Sequence, residues 1–448
     1  MKYDVIIIGS GLAGLTAGLL LTKKGYRVLI LEKKPFVGGR TASWDEDGMK
    51  VESGFHRVIG YYKHFPRVLK KAGINMNKIV MWEEVMDFRS ARKGDVTTFG
   101  MAPVHGPLKL LKGMFGNTDT ISYKDRMSLF PFFINGMKDY LKKPDQLDQV
   151  SVKEYAERHH VTNNAFHLVL VPLTAGIFFL PPERFSAYVF FGLLAPSLPR
   201  FYKMRMGGFL GGMSELFSDP IARVIEKQGG TILRDHKVTR MIYENGRVKG
   251  VVAEGQEFYA DETVLATEIG AAKKLITDSS VEHACFNNLL QLPDVPAVTI
   301  QFELDRPATP YDRTTFGAGT SLASFTEQSR TTFKHVPGRM SCILAPAERF
   351  INMESEDIYQ IAIKDAKKLG LEIEGHVVDY RVVKHPKEFY SLEPGHDWMR
   401  PDQDTPIKGL TLAGDYTKTS NFATMESAVE SGEIAAKIVE DEMTKSAL

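Results

Sequence analysis

The chain has 448 residues, 43% hydrophobic and 25% charged, and its 56 Lys and Arg against 55 Asp and Glu leave a formal charge of +1. This composition excludes a disordered, collagen-like or disulfide-scaffold protein, the length implies two or three domains, and the near-neutral balance gives no basis for a nucleic-acid partner. The two cysteines, Cys285 and Cys342, stand in no CxxC or Cys/His cluster, so no metal site is expected and a reducing, cytoplasmic setting fits.

The apolar run from Val5 to Leu21 follows Lys2 and could pass for a signal peptide. Glycines at 9, 11, 14 and 18 punctuate it and no small-residue cleavage site ends it, so strand, turn and helix describe it better. Residues 2–60 read as strand, helix, strand, a Gly-rich loop and a further strand. Residues 62–74 and much of 106–230 read as helical. Strands are expected over 231–267, with turns at Asn245-Gly246 and Gly255, and again over 295–350. Residues 407–442 read as strand, loop, helix. No run of about 18 uninterrupted apolar residues occurs, so no membrane span is expected. The Phe-, Leu- and Val-rich stretch 165–199 is broken by Pro172, Pro181 and Pro182 and reads as one or two buried or surface-docking helices.

Three motifs carry chemistry. The first is Gly9-Ser-Gly11-Leu12-Ala13-Gly14, between an apolar strand and a helix. Gly9 permits the tight turn, Gly11 admits a pyrophosphate to the backbone, and Gly14 lets helix and strand pack closely, with the helix N-terminus facing the phosphates. The next strand ends at Glu32, 18 positions after Gly14, where a carboxylate accepts both hydroxyls of an unphosphorylated ribose. The second motif, Glu32-Lys33-Lys34 followed by Gly38-Gly39-Arg40, separates FAD from NAD. A second glycine pair brings backbone to a diphosphate and Arg40 adds a charge-assisted contact, neither of which a plain NAD dehydrogenase needs. In the third, a short apolar strand delivers Gly414-Asp415, and Thr424-Met425 opens a helix. Its N-terminus would stabilise negative charge on a reduced flavin, and Asp415 would hold a ribityl hydroxyl.

These segments resemble the flavin amine oxidase superfamily and, within it, the phytoene and ζ-carotene desaturases of plant and cyanobacterial type, with bacterial hydroxysqualene dehydroxylases as similar relatives. The likeness rests on GSGLAGLTAG, LEKKPFVGGRTASWDEDG, VESGFHRVIGYYKHFPRVLKKAGI and LAGDYTKTSNFATMESAVESG, with looser similarity at PPERFSA and GGTILRDHKVTRMI. The resemblance implies that Gly9, Gly11, Leu12, Ala13 and Gly14 hold the pyrophosphate, and that Glu32 and Lys33 lie at the adenosine ribose. It places Gly39 and Arg40 near the phosphates and Val238 at the adenine edge. Gly54, Phe55 and His56 would run along the isoalloxazine, with Gly414, Asp415, Thr424 and Met425 closing over the ribityl chain and pyrimidine end. The chain departs from the pattern where desaturases carry an arginine after the PPERFSA-like run: Phe190 to Leu198 holds none and Arg200 comes later. The flavin-facing lysine of amine oxidases has no assignable counterpart. No catalytic residue is assigned, and His56 reads as a structural hydrogen-bonder.

The expectation is an α/β fold. A discontinuous Rossmann-like FAD-binding domain spans 1–88, 206–275 and 405–448, with a mixed α+β substrate domain, 89–205 and 276–404, inserted. The function expected is FAD-dependent oxidation of an apolar isoprenoid or carotenoid-like lipid, with hydride passing to flavin N5 and with a quinone or dioxygen as acceptor. Aromatic and aliphatic clusters between lysines over 99–143, among them Phe130, Phe132 and Phe133, read either as a helix in a bilayer interface on the inner face of the membrane or as a helix buried in the substrate domain. Three alternatives remain open: oxidation of an amine or porphyrinogen, a non-redox flavin-dependent isomerisation, and flavin binding without catalysis.

Overall fold

A computed structural model describes residues 2–91, 96–100 and 121–447. Its first sheet runs Thr231–Leu233, Val28–Leu31, Lys2–Ile8, Gln256–Leu265, Arg247–Ala253, Val238–Glu244, and Leu410–Leu412 pairs beside Gln256–Leu265. The strands from 2–8, 28–31, 231–233, 256–265 and 410–412 pair in parallel. Val5–Ile8 and Val28–Leu31 are buried throughout, as strands covered on both faces require; hence their unbroken apolar sequence. The two expected turns close the antiparallel part. Asn245 and Gly246 have φ of 50° and 75°, Glu254 and Gly255 of 49° and 75°, the left-handed pairs of a tight hairpin. One sheet is thus assembled from segments far apart in the chain.

The second sheet is ordered Val377–Tyr390, Asp294–Leu304, Gly338–Leu344, Leu322–Glu327, Thr315–Ala318, Val85–Ser90, Val96–Gly100. The helix Ser355–Lys368 contributes Ile358, Ala362 and Ala366 to its core. The sequence predicts its strands over 295–350 but not Val85–Ser90, Val96–Gly100 or the 14-residue strand Val377–Tyr390.

Helices Tyr123–Lys142, Val171–Phe178 and Ala187–Gly192 fill much of the stretch expected to be helical. Ser122 and Asp125 form a reciprocal capping box that starts the first of them. The stretch is interrupted by the strand Met206–Phe209, which pairs with Val58–Ile59 on one side and Val80–Glu83 on the other. Its glycine is steric: a Cβ on Gly207 would sit 2.4 Å from Val80 Cγ1 and 2.6 Å from Val58 Cγ1.

The lysine-interleaved cluster at 108–115 lies outside the described residues, as does the side chain of Arg200. On the helix Tyr123–Lys142, Phe132 is 0% exposed and packs edge-on or tilted against Phe133, Tyr155, Phe190 and Phe191. Phe132 thus belongs to the core, in line with the second of the two readings left open for this segment, a helix buried in the substrate domain. No helix among the described residues is long and apolar enough to cross a membrane.

Candidate active site

The first glycine motif behaves as its chemistry demands. Gly9 sits at φ +97°, with Ala266 O only 2.9 Å from where a Cβ would stand. On Gly14 a Cβ would lie 2.1 Å from Gly9 O, so helix and strand meet backbone to backbone. Gly11 is different: a Cβ there would meet nothing within 4 Å. Packing does not require that glycine, and the space beside it opens into a cavity of about 2050 Å³. The second glycine loop docks on the first. Gly38 N donates to Ser10 O at 2.9 Å, Gly11 and Gly38 form a parallel bridge, and on Gly39, at φ +56°, a Cβ would stand 3.2 Å from Gly11 Cα.

Of the sequence-derived site residues, Gly9, Gly11, Leu12, Ala13, Glu32, Lys33, Gly39, Arg40, Gly54, Phe55, His56, Val238, Gly414, Asp415, Thr424 and Met425 all line this one cavity. Gly14 stands behind it as the packing glycine. Three side chains differ from their expected roles in detail. Glu32 Oε2 already accepts from Ser10 N at 2.9 Å and Ser10 Oγ at 2.7 Å, and its Oε1 accepts from Lys34 N at 2.9 Å. It therefore shapes the glycine loop as well as facing the cavity. Arg40 and Asp415, expected to hold phosphate and ribityl groups separately, grip each other at 2.6 and 2.9 Å. His56 Nδ1 lies 3.0 Å from Gly54 O, the structural role its sequence context suggests.

The cavity continues between the helices and the second sheet. Here its wall includes Phe88, Leu129, Phe133, Leu173, Ile177 and Phe316. Tyr61 and Tyr62 stand at the junction; burial pushes both hydroxyls above their ordinary range, so they are neutral, and Tyr61 donates to Leu193 O. Every carboxylate in the lining is engaged: Glu32 by Ser10 and Lys34, Glu46 by Trp44, Glu268 by Lys33 at 3.7 Å, Asp278 by Lys274 at 2.7 Å, and Asp415 by Arg40. Three arginines that sequence reading did not single out, Arg57, Arg126 and Arg205, also reach the lining. They stand on separate elements, and nothing in the local sequence marks them.

A parallel sheet that threads two glycine loops and a Gly-Asp loop around one long cavity defines a dinucleotide-binding flavoprotein with a large second chamber. The residues fit FAD: a glycine whose Cβ position is empty faces the cavity, and the space exceeds the roughly 300–1,000 Å³ of an ordinary small-molecule pocket. The chain belongs to the flavin-containing amine oxidoreductase family, whose model matches residues 12–439. It is 29% identical over 458 residues to the 15-cis-phytoene desaturase of an Oncidium hybrid cultivar, covering 98% of this chain and 78% of that one. The 15-cis-phytoene desaturase of Synechococcus elongatus is 26% identical, with 97% and 95% covered. The probable zeta-carotene desaturase of the same organism is also 26% identical, with 97% and 98% covered. Among solved structures, putrescine oxidase bound to putrescine aligns with a TM-score of 0.77 at 15% identity, over 98% and 99% of the two chains. An oxidoreductase from Methanosarcina mazei aligns at 0.74 and 18%, over 97% and 100%; both likenesses concern the fold. The protein is an FAD-dependent oxidoreductase of this superfamily, with carotene desaturases among its relatives.

Proposed function

We propose that the protein oxidises an apolar isoprenoid or carotenoid-like lipid, in the manner the names of its desaturase relatives suggest. The observation that carries this reading is the second chamber. Its wall is mainly aliphatic and aromatic, and every carboxylate in the cavity lining already has a partner, which disfavours an amine. Burying a long apolar ligand contributes about 25 cal/mol per Å², so such a wall binds hydrocarbon without directed contacts.

In this reading Gly9, Gly11, Leu12, Ala13 and Gly39 bring backbone to the pyrophosphate, with Gly14 holding helix to strand behind them. Glu32 and Lys33 face the ribose, and Val238 the adenine. Gly54, Phe55 and His56 run along the ring system, and the Arg40–Asp415 pair, Gly414, Thr424 and Met425 close the far side. Residues 1–88, 206–275 and 405–448, which contain the whole first sheet, form the cofactor domain, and the remainder the substrate domain. When bound, FAD would supply a two-electron acceptor for a hydride leaving an allylic carbon while a proton leaves the neighbouring carbon, so that the double bond forms. The chain's residues place the substrate and exclude water, and a quinone or dioxygen takes the electrons onward. Support for access from a membrane lies at the chamber's rim, where Ile134 and Leu198 line the cavity and are 64% and 47% exposed, with exposed Lys138, Lys142 and Lys143 nearby in sequence.

The test is anaerobic incubation of the purified holoprotein with C30 and C40 polyenes, hydroxysqualene, amines and protoporphyrinogen while flavin absorbance is followed. Bleaching by a polyene or hydroxysqualene supports the proposal. Bleaching by amines or protoporphyrinogen alone replaces it.

A further inference from the structure

We propose that Arg205 is a hydrogen-bonding anchor for an oxygen function on the apolar ligand of the second chamber, an inference that rests on the chamber taking such a ligand. Two of the arginines at this wall belong to neighbouring strands and differ in what they touch. Arg57, just before the strand Val58–Ile59, is consumed by the protein: it pairs with Asp312 at 2.6 Å, donates to Thr314 Oγ1 at 3.1 Å, and also donates to Thr326. Arg205, just before the strand Met206–Phe209, has no carboxylate, carbonyl or hydroxyl partner for its side chain among the described residues, and its buried Nε is unpaired. Its guanidinium lies over the ring of Trp82, 4.2 Å from the centroid.

The position is held, not loose. Arg205 N donates to Lys203 O, and Arg205 O accepts from Gly60 N, both at 2.9 Å. Gly60 leaves room for the side chain: a Cβ there would lie 2.9 Å from Arg205 Cγ and 3.3 Å from Nε. Backbone, glycine and indole thus fix a planar group that carries five N–H donors and no acceptor. Of these only Nε is buried without a partner; the side chain lines the cavity, and a polar group in a cavity wall with no protein partner for its donors calls for one from a ligand. Arg205 lines the cavity beside Ile59, Tyr61, Met204 and Met206, so the partner is a molecule that is apolar along its length and offers an accepting oxygen. A carbonyl or carboxylate satisfies this; an ammonium is repelled. Two sources share that chemistry, a quinone that carries electrons away and a substrate with an oxygenated end.

The holoprotein, its Arg205→Leu and Arg205→Lys variants, and a Trp82→Phe control would be titrated with decylubiquinone, oleate and squalene. Quenching of the Trp82 emission and perturbation of the flavin spectrum report binding. Arg205→Leu is expected to weaken an oxygenated probe by about tenfold or more, the loss of one hydrogen bond from a charged donor. Squalene affinity and FAD content should stay unchanged, and Arg205→Lys should lie between. Weakening of decylubiquinone alone assigns Arg205 to the acceptor, weakening of oleate alone assigns it to the substrate, and weakening of both supports the shared chemistry. Equal affinities in all variants, or an equal loss for all three probes, overturn the inference and leave Arg205 a packing residue. A flavin-loaded wild type that takes up none of the probes removes the apolar-ligand reading and this inference with it. That failure is told apart by appearing without any substitution.

Discussion

Arg40 and Asp415, 375 positions apart in the chain, form a two-pronged ion pair at 2.6 and 2.9 Å on the wall of the cofactor cavity. Arg40 follows the second glycine loop, Asp415 follows the strand Leu410–Leu412, and the guanidinium also packs over the ring of Phe389 at 5.3 Å. The pair latches the two loops that flank the cavity. Parallel N–H···O bonds between ions are directional as well as strong, so each loop's position depends on the other.

This latch can be measured. Asp415→Ala and Arg40→Ala should each weaken FAD binding by about tenfold or more, since a lost charged hydrogen bond is worth about 1.5–3 kcal/mol. The double variant should lose less than the sum of the two. Titration of apoprotein with FAD gives the cycle. Strict additivity would mean that the two side chains serve the cofactor separately.

Two glycines of one motif should fail in opposite ways. Gly11→Val adds methyl groups to open space beside the cavity and is expected to leave the apoprotein's melting temperature near wild type while abolishing FAD uptake. Gly14→Ala forces a methyl to within 2.1 Å of Gly9 O and should destabilise the apoprotein by about 1–3 kcal/mol. Calorimetry of both apoproteins decides it, and a Gly11→Val protein that binds FAD normally would falsify the cradle.

Glu52 carries a pH signature. It is buried, accepts from Ser43 Oγ and Met213 N at 2.9 Å each, and burial lifts its carboxyl to about 7 from 4.5. A raised folded-state value means that its contribution is present in full below the unfolded value and is lost as pH rises through about 7. At about 1.4 kcal/mol per unit, the loss is on the order of 3 kcal/mol. Glu52→Gln should therefore gain stability relative to wild type between pH 4.5 and 7, and melting curves across that range should converge at the acid end. A constant difference would exclude Glu52 as the titrating group.

Membrane contact is expected to run through Ile134 and Leu141, which are exposed on the helix Tyr123–Lys142. Ile134→Asp with Leu141→Asp should abolish flotation with anionic liposomes and leave FAD content intact. Nearby lysines add about 1 kcal/mol each against anionic lipid, so salt should weaken the wild type as well. Phe132→Asp should instead unfold the helical layer. Wild-type protein that stays with the soluble fraction at low salt would end this reading.

What could be read from sequence was what local rules govern. The glycines at 9, 11 and 14, the strands around them and the turns at Asn245-Gly246 and Gly255 each follow from backbone geometry within a few residues. Phe132 stays open between two readings in the sequence because a helix rich in both Phe and Lys does not declare which apolar side chains face the core. Only the packing of Phe190 and Phe191 decides that. Arg40 and Asp415 were recognised, but not as partners, because each had a plausible ligand of its own. Arg205 gave no signal at all. Its significance depends on Trp82 and Gly60, which a three-stranded sheet brings beside it from elsewhere in the chain.

The helix Met425–Ala447 lies against the helix Leu12–Lys23 so closely that a Cβ on Gly432 would stand 2.4 Å from Ala13 O. The backbone of the first glycine loop is thus braced by a segment made long after it. On the ribosome, where chains emerge at about 5–20 residues per second, the glycine turn must wait tens of seconds for Asp415 and Gly432. Loading of the prosthetic group is therefore a late event in the life of each molecule, and a truncated or stalled product should emerge colourless.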